Sequence, residues 1–205
     1  MACPIFKVVR IAFFLSLAPS LPADNTLTAE ASIVKGIYCS LPNSDIDLLV
    51  NFTVTYRNGL GSPVILATPN LVKGYRLFRD EEDVALNRPV RKFVSASTAM
   101  FEASKIDRLK PDPALFETVQ PEGVAHRIYN VQLLVGGPGV HSLESDDYYL
   151  LVSIDTWPAN RRSGESLARS WERWGKLWLN PIQLPPMRLH VEKAPEIRPC
   201  PLRVD

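Results

Sequence analysis

The run IDLLVNFTVTYRNG, residues 46–59, limits the fold of this chain more than any other stretch. Ile46, Leu48, Val50, Phe52, Val54 and Tyr56 take the even positions, and Asp47, Asn51, Thr53, Thr55 and Arg57 fill most of the odd ones. A helix would scatter the six apolar groups around its circumference, whereas the two-residue period of a strand puts them all on one side. Burying them contributes on the order of 10 kcal/mol, at ~1.5 to 3 kcal/mol each and reduced by the compactness of the unfolded chain. The segment is therefore read as a strand with one buried face. Asn58 and Gly59 tolerate positive φ, and with Gly61, Ser62 and Pro63 they predict a turn into a second strand at 64–67.

The same grammar recurs along the chain. Residues 74–79 (GYRLFR) form a short strand running into an acidic turn, DEED at 80–83, and 91–96 around Phe93 form a weaker one. Residues 116–119 lead through a turn at 120–123 into 125–135, where Tyr129, Val131, Leu133 and Val135 share a face until GGPGV closes the strand. Tyr148, Leu150, Val152 and Ile154 alternate within 148–157, and Met187, Leu189 and Val191 within 187–192. About seven short strands separated by turn signals, without alternating helices, predict an all-β fold, an antiparallel sandwich. The 18 prolines fit, because proline is excluded from ladder interiors and tolerated at strand ends.

Two segments depart from that pattern. Residues 99–113 carry Met100, Ile106 and Leu109 at loosely helical spacing before Pro111. Residues 163–179 carry Leu167, Trp171, Trp174 and Trp178 at intervals of four, three and four, one stripe of a helix. Ser163 is the candidate N-cap, with Glu165 in the first turn, where the helix dipole favours negative charge. This helix is expected as an insertion before the last strand, lying against an end or a face of the sandwich.

Lys7 and Arg10, an apolar run at 11–18, and then Pro19, Ser20, Pro22 and Ala23 have the order of an export signal. Cleavage is expected after Ala23, leaving 24–205 as one secreted or periplasmic domain. No later run approaches the ~18 apolar residues of a membrane span. Losing the signal removes Cys3 and leaves Cys39 and Cys200 as an even pair in a compartment that permits disulfides, so they are expected to bond. The loop closed is about 160 residues, which the chain-entropy model values at roughly 5 kcal/mol before native strain is subtracted. A formal net charge of +1 supplies no whole-molecule field for nucleic acid or an anionic membrane.

The inventory of reactive side chains argues against catalysis. His126, His141 and His190 sit on different expected elements and form no HExxH spacing. GxSxG, a phosphate loop and GxGxxG are lacking, and GGPG at 136–139 has no following helix to make a phosphate cradle. Asp146 and Asp147 are the best adjacent carboxylates, and a charged turn before a strand explains them. DEED lacks the ligand spacing and the glycine of a calcium loop. No metal and no cofactor is expected. Asn51 in NFT satisfies the glycosylation pattern and falls on the face opposite the core.

The tryptophan stripe is the strongest binding candidate. Exposed, Trp171, Trp174 and Trp178 beside Arg169 and Arg173 could stack on sugar rings or sit in a lipid interface. Buried, they dock the helix, and burial is the favoured reading because an exposed stripe of that size invites aggregation.

The order of features resembles the immunoglobulin-like sandwiches of secreted bacterial proteins. VNFTVTYRNGLGSPVIL, GYRLFRD, VQPEGVAHRIYNVQLLV and DDYYLLVSIDTW together resemble the BsuPI-type proteinase inhibitor family over about half of the chain. The resemblance implies a noncatalytic secreted scaffold and, in that family, an exposed rigid loop offered to a protease, here 87–92 or 136–141. The primary expectation is a binding or accessory domain that contacts another protein or an envelope component. The alternatives are a proteinase inhibitor and a carbohydrate binder using the three tryptophans.

Overall fold

The computed structural model describes residues 26–68, 72–94, 106–138, 141–144, 146–157, 159–192 and 197–200. The export signal and the 99–105 part of the first helical segment lie outside them. The described part is mostly β, with twelve strands and two helices. In chain order these are β1 (Leu27–Ser40), β2 (Ile46–Asn58), β3 (Val64–Ala67), β4 (Val72–Phe78), α1 (Glu81–Ala85), β5 (Arg91–Val94), β6 (Phe116–Val119) and β7 (Val124–Gly136). Then follow β8 (Asp146–Ile154), α2 (Arg161–Ser170), β9 (Lys176–Leu177), β10 (Ile182–Gln183), β11 (Met187–Val191) and β12 (Arg198–Pro199).

The strands form three sheets. A front sheet has the order β12-β1-β2-β7. A back sheet has the order β10-β8-β4-β5, with β11 also on β8, and a small wall sheet has the order β6-β3-β9. All pairings are antiparallel except β1 with β12 and β3 with β9. The inward rows of β2, β7, β4, β8 and β11 meet in one buried cluster, so the front and back sheets share a core. Phe52 stacks on Tyr129 within it, ring centroids 5.7 Å apart.

The wall sheet divides that core from a second one. All four β3 residues are buried: Val64 and Leu66 join the main core, while Ile65 and Ala67 face a cluster made with Phe116, Trp157, Leu167, Trp171 and Leu177. A continuous apolar run is what a strand covered on both faces requires. Helix α2 lies over the second cluster, with Leu167 buried in it. Gly164 permits the close approach, since a Cβ there would stand 2.8 Å from Trp157 Nε1.

Several sequence expectations are corrected. The 14-residue β1 has no counterpart among them. Its inward row is Leu27, Ala29, Ala31 and Ile33, and a bulge at Val34 then shifts the register, so that Ile33 opposes Phe52 and Lys35 opposes Asn51. Small alanines and one extra residue hide the period of two. Asn58 and Gly59 do not take positive φ. Asn58 is instead fully buried and donates from Nδ2 to the carbonyls of Ser62, Val119 and Gln120, while Leu60 N donates to its Oδ1. DEED is a helix start rather than a turn: Asp80 caps α1 by accepting from Asp83 N at 2.8 Å. Around Ile106 and Leu109 there is no helix; Ile106 enters the second core and Leu109 is 70% exposed.

Cys39 and Cys200 are bonded, with Cα atoms 4.6 Å apart. The bond holds β12 against β1, where Cys39 registers with Arg198 and Cys200 N donates to Ser40 O at 2.9 Å. At the opposite edge of the front sheet, side chains cap the end of β7: Tyr75 Oη donates to Gln132 O and Arg91 to Leu134 O, so these carbonyls are not free to pair with another strand.

Candidate functional site

Helix α2 is shorter than the tryptophan spacing suggests. It begins at Asn160, whose side chain accepts from Arg162 N, and not at Ser163; Glu165 therefore lies outside the first turn and pairs with Arg161 at 3.1 Å. It ends at Ser170, and residues 171–174 form a turn in which Trp174 N donates to Trp171 O at 2.7 Å. Gly175 then takes φ +143°, and a Cβ there would lie 2.6 Å from Pro63 O. Lys176 N donates to that same carbonyl and starts β9 along β3.

The three indoles consequently reach three environments. Trp171 is fully buried in the second core, edge-on to Phe116, with Nε1 donating to Asp107 O at 3.1 Å. Trp178, placed opposite Leu177 by the strand period, is half-buried against the main core, with Lys176 Nζ 5.4 Å from its ring centroid. Trp174 is 45% exposed. Its Nε1 donates to Leu109 O at 2.9 Å, and Arg173 donates to the same carbonyl while its guanidinium stands 5.3 Å over the indole. The exposed indole is thus pinned by its edge and held in one orientation.

Trp174 stands between two clefts. The first, about 620 Å³, takes Arg169, Arg173 and Lys176 together with Glu172; the second, about 690 Å³, takes Lys110, Pro111 and Pro113 with Glu117, Thr118 and Gln120. Of the expected contact residues, the fold therefore brings Trp174, Arg169 and Arg173 to one place and sends Trp171 and Trp178 elsewhere. Lys110, Pro111 and Pro113 were not identifiable as partners from sequence, because they come from a segment far away in the chain and no spacing links them to α2.

A third concavity, about 740 Å³, lies on the outer face of the front sheet beside the disulfide, lined by Leu49, Asn51, Asn130, Gln132, Pro42 and Pro199 among others. Asn51, the candidate glycosylation residue, is half-buried there, facing away from the core as its register with Asn130 requires.

Asp147, His190, His126 and Glu117 are engaged in side-chain pairs between strands. Asp147 accepts from Arg188 Nε at 3.1 Å and lies 2.7 Å from His190 Nδ1; these bonds, His190 first and Arg188 next, hold its carboxyl below the usual carboxylate range. His126 Nδ1 lies 3.1 Å from Thr55 Oγ1, and His141 contributes its carbonyl to Arg91. Glu117 pairs with Arg127 at 3.0 Å. Burial pushes the Tyr75 hydroxyl up to about 12, with the charge of Asp47 adding to the effect. Burial, then the neighbouring Tyr129, raises Tyr56. Among the described residues no three His, Cys, Asp or Glu side chains gather as a metal site, and no helix is long and apolar enough to cross a membrane.

No protein-family model, curated protein or solved structure matches the chain.

Proposed function

We propose that this chain is a noncatalytic exported domain that holds a contact surface against another protein or a component of the cell envelope. In finer architecture, the front and back sheets read as an immunoglobulin-like sandwich, to which the wall sheet and α2 are added. The disulfide linking β1 to β12 supports a scaffold built for an oxidising compartment. The observation that carries the reading is Trp174, an indole fixed by a hydrogen bond at its edge, exposed between two clefts. A rigid, half-exposed aromatic offers a large contact area at little entropic cost, and such residues concentrate binding energy at interfaces. A photo-crosslinking residue placed at 174 in the exported chain, in its own cells, tests this. One discrete adduct from 174, and none from the same residue at exposed position 57, is the expected result. No adduct at 174, or the same adducts at both positions, contradicts it.

A proteinase inhibitor is a second reading, supported by Arg91, which donates to Leu134 O and His141 O and so ties the start of β5, just after 87–90, to the end of β7 and to His141. Asn87, at φ +52°, is in turn held by Arg76. Inhibitors need such rigid loops. Absence of inhibition across a protease panel at micromolar protein would remove this reading.

A further inference from the structure

The two clefts flanking Trp174 differ in charge, and the difference narrows the ligand. The α2-side cleft carries Arg169, Arg173 and Lys176 against Glu172 alone, all four exposed. Arg173 is committed to Leu109 O, whereas among the described residues the Arg169 side chain has no hydrogen-bond or ion-pair partner. The other cleft carries Lys110 and Glu117, the latter already paired with Arg127 at 3.0 Å, and adds Thr118 and Gln120 as neutral donors and acceptors beside Pro111, Pro113 and the indole.

We propose that an acidic oligosaccharide lies across Trp174, with a carboxylate-bearing sugar in the Arg169–Lys176 cleft and neutral rings in the Lys110–Gln120 cleft. The proposal rests on the reading above that this face is the contact surface. Sugar rings present apolar C–H faces that pack on indole and proline, and their hydroxyls need both donors and acceptors at the rim. A carboxylate suits the planar fork of an arginine such as Arg169, which can hold it with two parallel hydrogen bonds. Single-stranded nucleic acid also stacks on aromatics, but it carries a phosphate at every residue and needs cations along its whole track. Here three of the four cations that line the clefts, Arg169, Arg173 and Lys176, gather in one of the two.

The test begins with a glycan array carrying uronate, sialylated and neutral oligosaccharides. The best carboxylated hit is then titrated by isothermal titration calorimetry alongside its methyl ester and an oligothymidylate. Carboxylated glycans are expected to bind. Esterification is expected to weaken binding at least tenfold, as is the Arg169→Ala/Lys176→Ala double variant, and Trp174→Ala is expected to abolish it. Ile128→Ala, on the outer face of the front sheet and 73% exposed, is expected to bind as the parent does. Melting temperatures of all variants establish that they are folded. Silence toward every carboxylated glycan, undiminished binding by Trp174→Ala, equal binding of the ester, or tighter binding of oligothymidylate would overturn the proposal. If crosslinking from position 174 still traps a single envelope component while the array is silent, the ligand class fails and the contact surface stands. If both are silent, both fail.

Discussion

The core between the front and back sheets and the core beneath α2 share β3 as a wall, yet they are assembled differently. The first is built from long strands, with every second residue from Leu48 to Tyr56, from Tyr129 to Val135 and from Tyr148 to Ile154 delivering Leu, Val, Ile, Phe or Tyr to the same cluster. The second takes single residues from separate places: Phe116 from β6, Trp157 from the loop after β8, Leu167 from α2, Trp171 from its C-cap and Ile106 from an irregular segment. Repetition makes the first region a frame. Because the second closes with a turn and a parallel two-residue strand, it leaves Trp174 at the surface, where the clefts are. The proposed contact surface thus lies on the region least constrained by sheet periodicity, as expected of a site grafted on a scaffold.

The largest perturbation expected is loss of the disulfide, which belongs to the frame. Because it closes a sequence separation of 161 residues, a Cys39→Ser/Cys200→Ser variant should lose up to about 5 kcal/mol in denaturant unfolding. A loss near zero would mean that β12 contributes nothing to closing the front sheet.

Next come Phe52→Ala and Trp171→Ala, one in each core and both fully buried. Each should cost ~3–5 kcal/mol. Because β3 lines both cores, both variants should melt in a single transition. A second, earlier transition in Trp171→Ala alone would show that the α2 region unfolds independently and would break the shared-wall description.

The smallest effect concerns pH and the back sheet. Asp147 sits on β8 with its folded pKa depressed by His190 and Arg188, so its contribution is fully present above its unfolded value of about 3.9 and is lost as pH falls through the lower folded value. The stability difference between parent and Asp147→Asn should shrink below about pH 4. A gap that persists undiminished well below about pH 4 would contradict that assignment.

The frame was legible because its signal is redundant. Misreading one residue of β2, β8 or β11 leaves the alternation intact, and the bounds found lie close to those expected. Strand β1 escaped because alanines stand where larger residues would mark the inward face and because the bulge at Val34 breaks the period. The tryptophan spacing misled for a different reason. Intervals of four, three and four are satisfied equally by a helix cap, a turn and an extended segment, and Trp171 at the C-cap of α2, Trp174 in the turn and Trp178 just past β9 occupy those three in order. Gly175 held the discriminating information: its φ of +143° and the contact with Pro63 require a chain reversal that a continuous helix cannot contain. At Asn58, residue type indicated a turn correctly, but the side chain and not the backbone angle makes it.

Acrylamide quenching of four variants, each retaining one of Trp157, Trp171, Trp174 and Trp178, tests the central claim most directly. Trp174 should be quenched most strongly, Trp178 less, and Trp157 and Trp171 least, in line with their burial. Comparable quenching of Trp171, Trp174 and Trp178 would restore the continuous helical stripe and remove the surface on which the proposed function rests.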